Sequence, residues 1–254
     1  MKFKAVTILT LVILALLTLF SFYYEIERYW YIILILAWLI LISVGSFLIG
    51  LNFHLKAFSF KPKSTLKKVA ITFDDGPHPK HTLKVLEVLK KHGAKATFFC
   101  IGEKIEKYPH ILKSISIEGH SIGNHSYSHS NFIDFNLTTK WISEIEKTDE
   151  LIQATIGKTP KLFRPPYGVT TPHLAKALKL TGHLVVGWNR RTLDTIIKNR
   201  NTILNRLKIK LKPGDIILLH DTQEQSLHIL EHLLLYLKQQ NFEAVTIEEL
   251  YNEH

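Results

Sequence analysis

Thr72-Phe73-Asp74-Asp75-Gly76-Pro77 closes the apolar run 69–73, which reads as a buried β-strand. Further short apolar runs of the same kind follow at 96–101, 120–124, 162–164, 183–188, 215–220 and 244–247. Amphipathic helical patterns lie between them. Leu83, Leu86 and Leu89 follow Pro79, which suits a first-turn position. Trp141, Ile145, Thr148 and Ile152 share one helical face, with Glu144, Glu146, Asp149 and Glu150 largely elsewhere. Leu174 and Leu178 mark a helix ended by Gly182, Ile203, Leu207 and Leu211 one stopped by Pro213-Gly214, and Leu227, Leu230 and Leu234 another. Strand–helix alternation of this length implies parallel strands joined by crossover helices. About seven such units predict an α/β, barrel-like sheet with its chemistry at the C-terminal strand ends.

The first 51 residues have a different character. No charge occurs in 5–24 or in 29–51, and each stretch is long enough to cross a bilayer as a helix of about 20 residues. Only Glu25, Ile26, Glu27 and Arg28 intervene, flanked by Tyr23, Tyr24, Tyr29, Trp30 and Tyr31, whose rings favour a membrane–water boundary. The alternative is a cleaved secretory signal with Lys2 and Lys4 in its basic region. Against that, the apolar run is long and Ser21-Phe22-Tyr23-Tyr24 offers no small-x-small cleavage site. The expected organisation is a two-helix membrane anchor over 1–51, a polar linker over 52–66 and a catalytic domain over 67–254. Lys2 and Lys4 before the spans, and Lys56, Lys61, Lys63, Lys67 and Lys68 after them, place both termini on the cytoplasmic side by the positive-inside rule.

Formal net charge is +10 for the chain and +9 once residues 1–51 are set aside. That balance favours an anionic neighbour such as phospholipid headgroups or a charged glycan. No basic run is interleaved with stacking aromatics, so nucleic acid is not expected as a partner. One cysteine, Cys100, excludes an intrachain disulfide.

The residues suited to chemistry fall at the expected strand ends. Neighbouring side chains on a strand point to opposite faces, yet Asp74 and Asp75 enter a Gly-Pro turn where both can reach one cavity. His125 and His129 stand at i, i+4, which would stack them on one helical face. One acid and two imidazoles suit a catalytic divalent ion with open positions, leaving the other acid as a base toward water. Arg164-Pro165-Pro166-Tyr167-Gly168 makes a stiff, extended strand end with a free amide at Tyr167, suited to an oxyanion, and Arg164 can pair with a carboxylate. His220, beside Asp221, closes the sixth strand and can protonate a leaving amine. Taken singly, each motif has a structural reading: a polar loop, a chance His pair, a proline turn or a strand-end histidine.

Together, T-F-D-D-G-P, H-x-x-x-H, R-P-P-Y-G and L-x-H over roughly 66–250 resemble the polysaccharide deacetylase family, the NodB-homology domain of carbohydrate esterase family four. The resemblance implies a distorted (β/α) barrel and hydrolysis of N-acetyl, less often O-acetyl, groups on sugars. By matching motif, Asp74 is the expected base, and Asp75, His125 and His129 the ligands of Zn2+, Co2+ or a similar ion. Arg164 would orient Asp74, the Tyr167 amide would meet the oxyanion, and His220 would be the acid. Leu218 would line the acetyl-methyl pocket, with Pro165 and Trp188 beside the substrate. The chain departs from the family after Trp188, where Arg191 and Thr195 replace an expected acid and tryptophan. Asp194 is retained there, as an expected partner of Arg164 or Arg191.

The implied substrate is an acetylated amino-sugar glycan or a lipid-linked amino sugar at a membrane. Sugar O-deacetylation on the same site and non-catalytic, membrane-bound glycan binding are the competing readings.

Overall fold

In the computed structural model, residues 2–62, 64, 66–209 and 211–253 are described; Lys63, part of the basic flank, lies outside them. The elements run α1 (Lys2–Phe20), α2 (Tyr29–Phe47), β1 (Lys68–Gly76), α3 (His81–Lys91), β2 (Thr97–Cys100), α4 (Gly102–Lys107), α5 (Pro109–Ile117) and β3 (Ser121–Asn124). They continue α6 (Thr138–Ile156), β4 (Leu162–Phe163), α7 (Pro172–Thr181), β5 (Leu184–Val185) and β6 (Arg190–Arg191). The chain ends with α8 (Arg200–Lys208), β7 (Ile216–His220), α9 (Glu224–Gln239), β8 (Glu243–Val245) and α10 (Ile247–Tyr251).

Every strand expected from the sequence is present, joined by the two-residue β6. Three helices lie outside the sequence reading: α10, and α4 and α5, which connect β2 to β3. They are short, and α5 is recognisable mainly by Pro109 at its first turn and by buried Ile111, Leu112 and Ile115. All strand pairings are parallel, in the order β5-β4-β3-β2-β1-β7-β6, with β8 also on β1. The strands curl into a half-barrel open between β5 and β6. β1 is central, with Val69, Ala70, Ile71 and Phe73 buried on both faces, as a helix-covered parallel strand requires. The largest apolar core lies between β1, β2 and β7 and helices α3 and α9.

Within the expected linker, residues 53–60 are packed on the domain. Phe53, His54, Leu55 and Ala57 are buried, Phe58 bridges Val186 beside β5, and Phe60 bridges Asp215 before β7. It therefore spans the open seam of the half-barrel, because its alternating apolar residues fill the gap between the two outer strands. The apolar hairpin is joined to the same region. Phe3 N donates to Phe53 O (3.2 Å), Lys2 Nζ to Leu51 O (2.9 Å), and Ser46 Oγ lies 2.9 Å from His54 Nε2. Helix α2 stops at Phe47 rather than running to residue 51, because Leu48 leaves helical geometry (φ −108°, ψ 84°).

Candidate active site

The carboxylate pair is brought together by a bulge. Between Phe73↔Phe98 and Gly76↔Cys100, β1 carries one more residue than β2, and Asp75 takes a left-handed backbone (φ 69°). The extra residue cancels the alternation that would send the two acids to opposite faces. Lys104 Nζ donates to the Asp75 carbonyl at 2.6 Å and fixes the bulge. Asp74, Asp75, His125, His129, Tyr167, Gly168, Trp188, Arg191, Thr195, Leu218 and His220 then line one cavity of about 180 Å³.

His125 and His129 are not on a helix. They occupy a loop after β3, with left-handed Ser126 (φ 63°) and His129 (φ 46°) folding the second ring back toward the first. The rings end 5.0 Å apart. Buried Glu144 holds this loop, accepting from Tyr127 N (3.1 Å), Ser128 N (2.8 Å) and Ser128 Oγ (3.0 Å). This corrects the expectation that Glu144 lies off the buried face. It stands three residues after Trp141 and four before Thr148, a spacing that marks the same face. Asp149 also serves the interior, accepting from Asn124 Nδ2 at 2.7 Å.

Asp75 Oδ1 lies 3.5 Å from His125 Nε2 and 3.2 Å from His129 Nε2, and the three donor atoms all fall within 4.8 Å of one another. Ligands at about 2.0–2.2 Å from a tetrahedral ion are about 3.4 Å apart, so the spacing fits a divalent metal. The protonation states fit as well. His125 Nδ1 is 2.8 Å from the Arg164 carbonyl, which can only accept, so Nδ1 carries a hydrogen and Nε2 is the atom turned to the cluster. Burial and the neighbouring His125 push His129 down to about 4, leaving a neutral imidazole at neutral pH. Burial works to raise Asp75, but the bond and charge of His125, with His129 and His220, outweigh it and hold the carboxyl well below the usual range.

Asp74 is separately engaged. Its Oδ1 accepts from Arg164 Nη1 at 2.7 Å, and its Oδ2 stands 3.9 Å from His125 Nε2. The Arg164 guanidinium, fully buried, also donates to Thr72 Oγ1 (2.8 Å), Val186 O (3.2 Å) and Gly187 O (2.9 Å). Across the β1–β7 pairing, Asp74 is the register partner of His220 and Thr72 that of Leu218. Adjacent strands lie about 4.8 Å apart, so two titratable groups flank the cavity from neighbouring strand ends.

The Asp194 expectation needs correction. Asp194 does not pair with Arg164 or Arg191; its Oδ1 lies 2.8 Å from His220 Nδ1, and its Oδ2 accepts from His220 N (2.9 Å) and Ser226 Oγ (2.7 Å). Arg164 is already committed to Asp74, and left-handed Leu193 (φ 57°) turns the chain so that Asp194 faces β7. Burial opposes the charge on His220, but the bond and charge of Asp194 outweigh it and raise the ring above the ordinary imidazole value. Burial likewise tends to raise Asp194, and His220, Thr192 and Ser226 together lower it.

Tyr167 has a left-handed backbone (φ 57°, ψ −2°), and its hydroxyl donates to Asn131 Oδ1 at 3.1 Å. Gly168 is required beside it: φ is +72°, and a Cβ there would come 2.3 Å from the Trp188 ring. Leu218 and Trp188 line the cavity as expected, whereas Pro165 is buried behind it in an extended conformation that aims Tyr167. Thr72, which the first motif contains but to which no role was given, supports Arg164, and residues the motifs do not name complete the site: Glu144, Thr192 and Ser226. Of these, only Glu144 left a signal in its helical spacing.

Comparison with known proteins agrees with this geometry. The polysaccharide deacetylase family matches residues 61–186. A peptidoglycan-N-acetylglucosamine deacetylase of Bacillus cereus is 37% identical over 199 residues, covering 77% of this chain and 72% of that protein. The structure of peptidoglycan deacetylase PdaC from Bacillus subtilis superposes with a TM-score of 0.68 at 31% identity, covering 75% of this chain and 92% of that one. A CE4 family pseudoenzyme from Bacillus anthracis superposes with a TM-score of 0.69 at 27% identity, covering 75% and 67%. On sequence, fold and site together, the chain belongs to the polysaccharide deacetylase family.

Proposed function

We propose that the protein is a membrane-anchored, Zn2+-dependent N-deacetylase of an acetylated amino-sugar glycan, with the N-acetyl sugars of peptidoglycan as the substrate class indicated by its relatives. One observation carries the reading. Asp74 and His220, paired across β1 and β7, flank the Asp75–His125–His129 cluster in one cavity. A binding module has no need of that set.

A divalent ion held by Asp75, His125 and His129 would polarise the acetyl carbonyl and acidify the attacking water. Asp74, fixed through Oδ1 by Arg164, accepts the water proton at Oδ2 as the oxygen adds to the carbonyl carbon. The Tyr167 amide donates to the oxygen that becomes negative. His220, its Nδ1 held by Asp194, gives the Nε2 proton to the sugar nitrogen as the C–N bond breaks. Acetate and a free amine leave. An amide nitrogen needs that proton more than an ester oxygen does, so a ring kept cationic by Asp194 favours N- over O-deacetylation. Leu218 and Trp188, which line the cavity, supply the apolar wall for the acetyl methyl group and the sugar face.

Helices α1 and α2 support membrane anchoring. Each has 19 residues; α1 has no buried residue, and α2 buries only Gly45. Exposed apolar surface on that scale is tolerated in lipid and not in water. At the domain side, Phe3 N donates to Phe53 O and Ser46 Oγ meets His54 Nε2, so the base of the hairpin is tied to the seam segment. The test is acetate release from acetylated chitin oligomers and peptidoglycan by purified full-length, zinc-loaded protein. Asp74→Asn and His220→Ala should each abolish turnover; near-wild-type rates in either variant would overturn the assignment.

A further inference from the structure

We infer that the catalytic cavity works at the bilayer surface on an N-acetylated amino sugar carried by a lipid, an inference that rests on the deacetylase reading of the site. The first ground is where the hairpin joins the barrel. Thr170 N donates to Ser46 O, in the last turn of α2, at 3.0 Å, and Thr170 is two residues from cavity-lining Gly168. Two residues span at most about 7 Å of chain, so the end of the apolar helix lies within about 10 Å of the cavity wall. Thr170 lies in the loop leaving the C-terminal end of β4, and past α2 the chain meets Val186 beyond β5 through Phe58. It reaches the opposite end of the barrel only at Phe60, beside Asp215 at the start of β7. The anchor is therefore planted on the rim that holds Asp74, His125 and His220.

The second ground is the surface next to it. In the loop between His129 and α6, Phe132, Phe135 and Leu137 are 76%, 83% and 63% exposed. Their buried neighbour Ile133 belongs to the same core cluster as Ile49, two residues past the end of α2. Asn131 of this loop accepts from the hydroxyl of Tyr167, which lines the cavity. An exposed apolar rim continuous with a membrane-spanning helix is covered by the bilayer interface. Exposed Lys2 and Lys56 stand at the base of the hairpin, where they suit the phosphate that links a sugar to its lipid. A sugar entering this cavity must lie in the headgroup layer.

The experiment uses full-length protein in phosphatidylcholine–phosphatidylglycerol liposomes. One acetylated disaccharide is supplied free, and the same disaccharide is supplied attached through a diphosphate to an isoprenoid chain in the bilayer. Acetate release should favour the lipid-attached form by roughly 10²-fold or more in kcat/KM. Phe132→Ser with Phe135→Ser should remove about tenfold of that preference while leaving the rate on free disaccharide unchanged, which also reports an intact fold. Independently, an environment-sensitive dye on Phe135→Cys should be quenched by doxyl lipids, and one on Gln239→Cys, at the far end of the barrel, should not; buried Cys100 does not compete for label. Equal rates on the two substrates, equal losses on both in the double variant, or a dye at 135 as unquenched as at 239 would each overturn the inference. If neither substrate releases acetate, the deacetylase reading fails, and the quenching still decides whether the rim meets the bilayer.

Discussion

His220 Nδ1 sits 2.8 Å from Oδ1 of Asp194, a carboxylate with no solvent exposure. The pair gives the cavity an imidazole that stays charged to higher pH than a free one, and so retains a proton to donate. Activity should accordingly fall as pH rises through the raised His220 value.

Asp194→Asn removes the charge that sustains that proton. The alkaline limb of the kcat profile should move to lower pH, and kcat at pH 8 should drop by about 10²-fold. The stabilising contribution has a matching sign: it is present below the ordinary imidazole value of about 6.5 and lost as pH rises through the raised folded value. An NMR titration of His220 in both proteins checks the shift. An unmoved imidazole signal would sink this account of the pair.

Arg164 holds Asp74 through a bond of 2.7 Å inside the core. Arg164→Met leaves a buried carboxylate without its partner, and should cost about 3–5 kcal/mol in denaturant unfolding. Arg164→Lys should recover only part of this, since one ammonium cannot reach Asp74 and the carbonyls of Val186 and Gly187 together. A lysine variant as stable as wild type would contradict the role given to the planar fork.

Metal content and activity should separate between the two adjacent acids. Asp75→Ala and His125→Ala are expected to lose bound zinc and turnover together. Asp74→Asn should keep stoichiometric zinc while kcat falls by about 10²–10⁴-fold. Chelator treatment of wild-type protein should abolish acetate release, and added Zn2+ or Co2+ should restore it. Elemental analysis of each purified protein supplies the comparison.

Gly168→Ala places a methyl group 2.3 Å from the Trp188 ring at a φ of +72°. The clash and the backbone strain should destabilise the protein by about 1–3 kcal/mol and displace Trp188 from the cavity. A lowered melting temperature with a raised KM is the expected pattern. Gly157, at φ +73° with nothing near a Cβ, is the control for backbone strain without the clash.

The central strands β1, β2 and β7 were legible because both their faces are buried, so each reads as a nearly uninterrupted apolar run. The candidate metal-binding cluster of Asp75, His125 and His129 was legible because its residue types and motif order are confined to a few strand ends. The bond between Asp194 and His220 was not, since it joins residues 26 apart across the β6–β7 edge. Spacing also misplaced His125 and His129 on a helix, because two left-handed turns accomplish in a loop what helical periodicity would have done. Seam closure by Phe58 and Phe60 was hidden for a related reason: a strand gap exists only once the sheet has curled.

Sequence alone determined the strand–helix alternation, the two apolar helices and the identity of the acid, imidazole and arginine groups, since these follow from local periodicity and side-chain chemistry. Only the tertiary structure decided that Asp194 serves His220 rather than Arg164 or Arg191, and that the apolar hairpin meets the loop beside the cavity. Those relationships depend on strand register, and register is set by how the whole sheet packs.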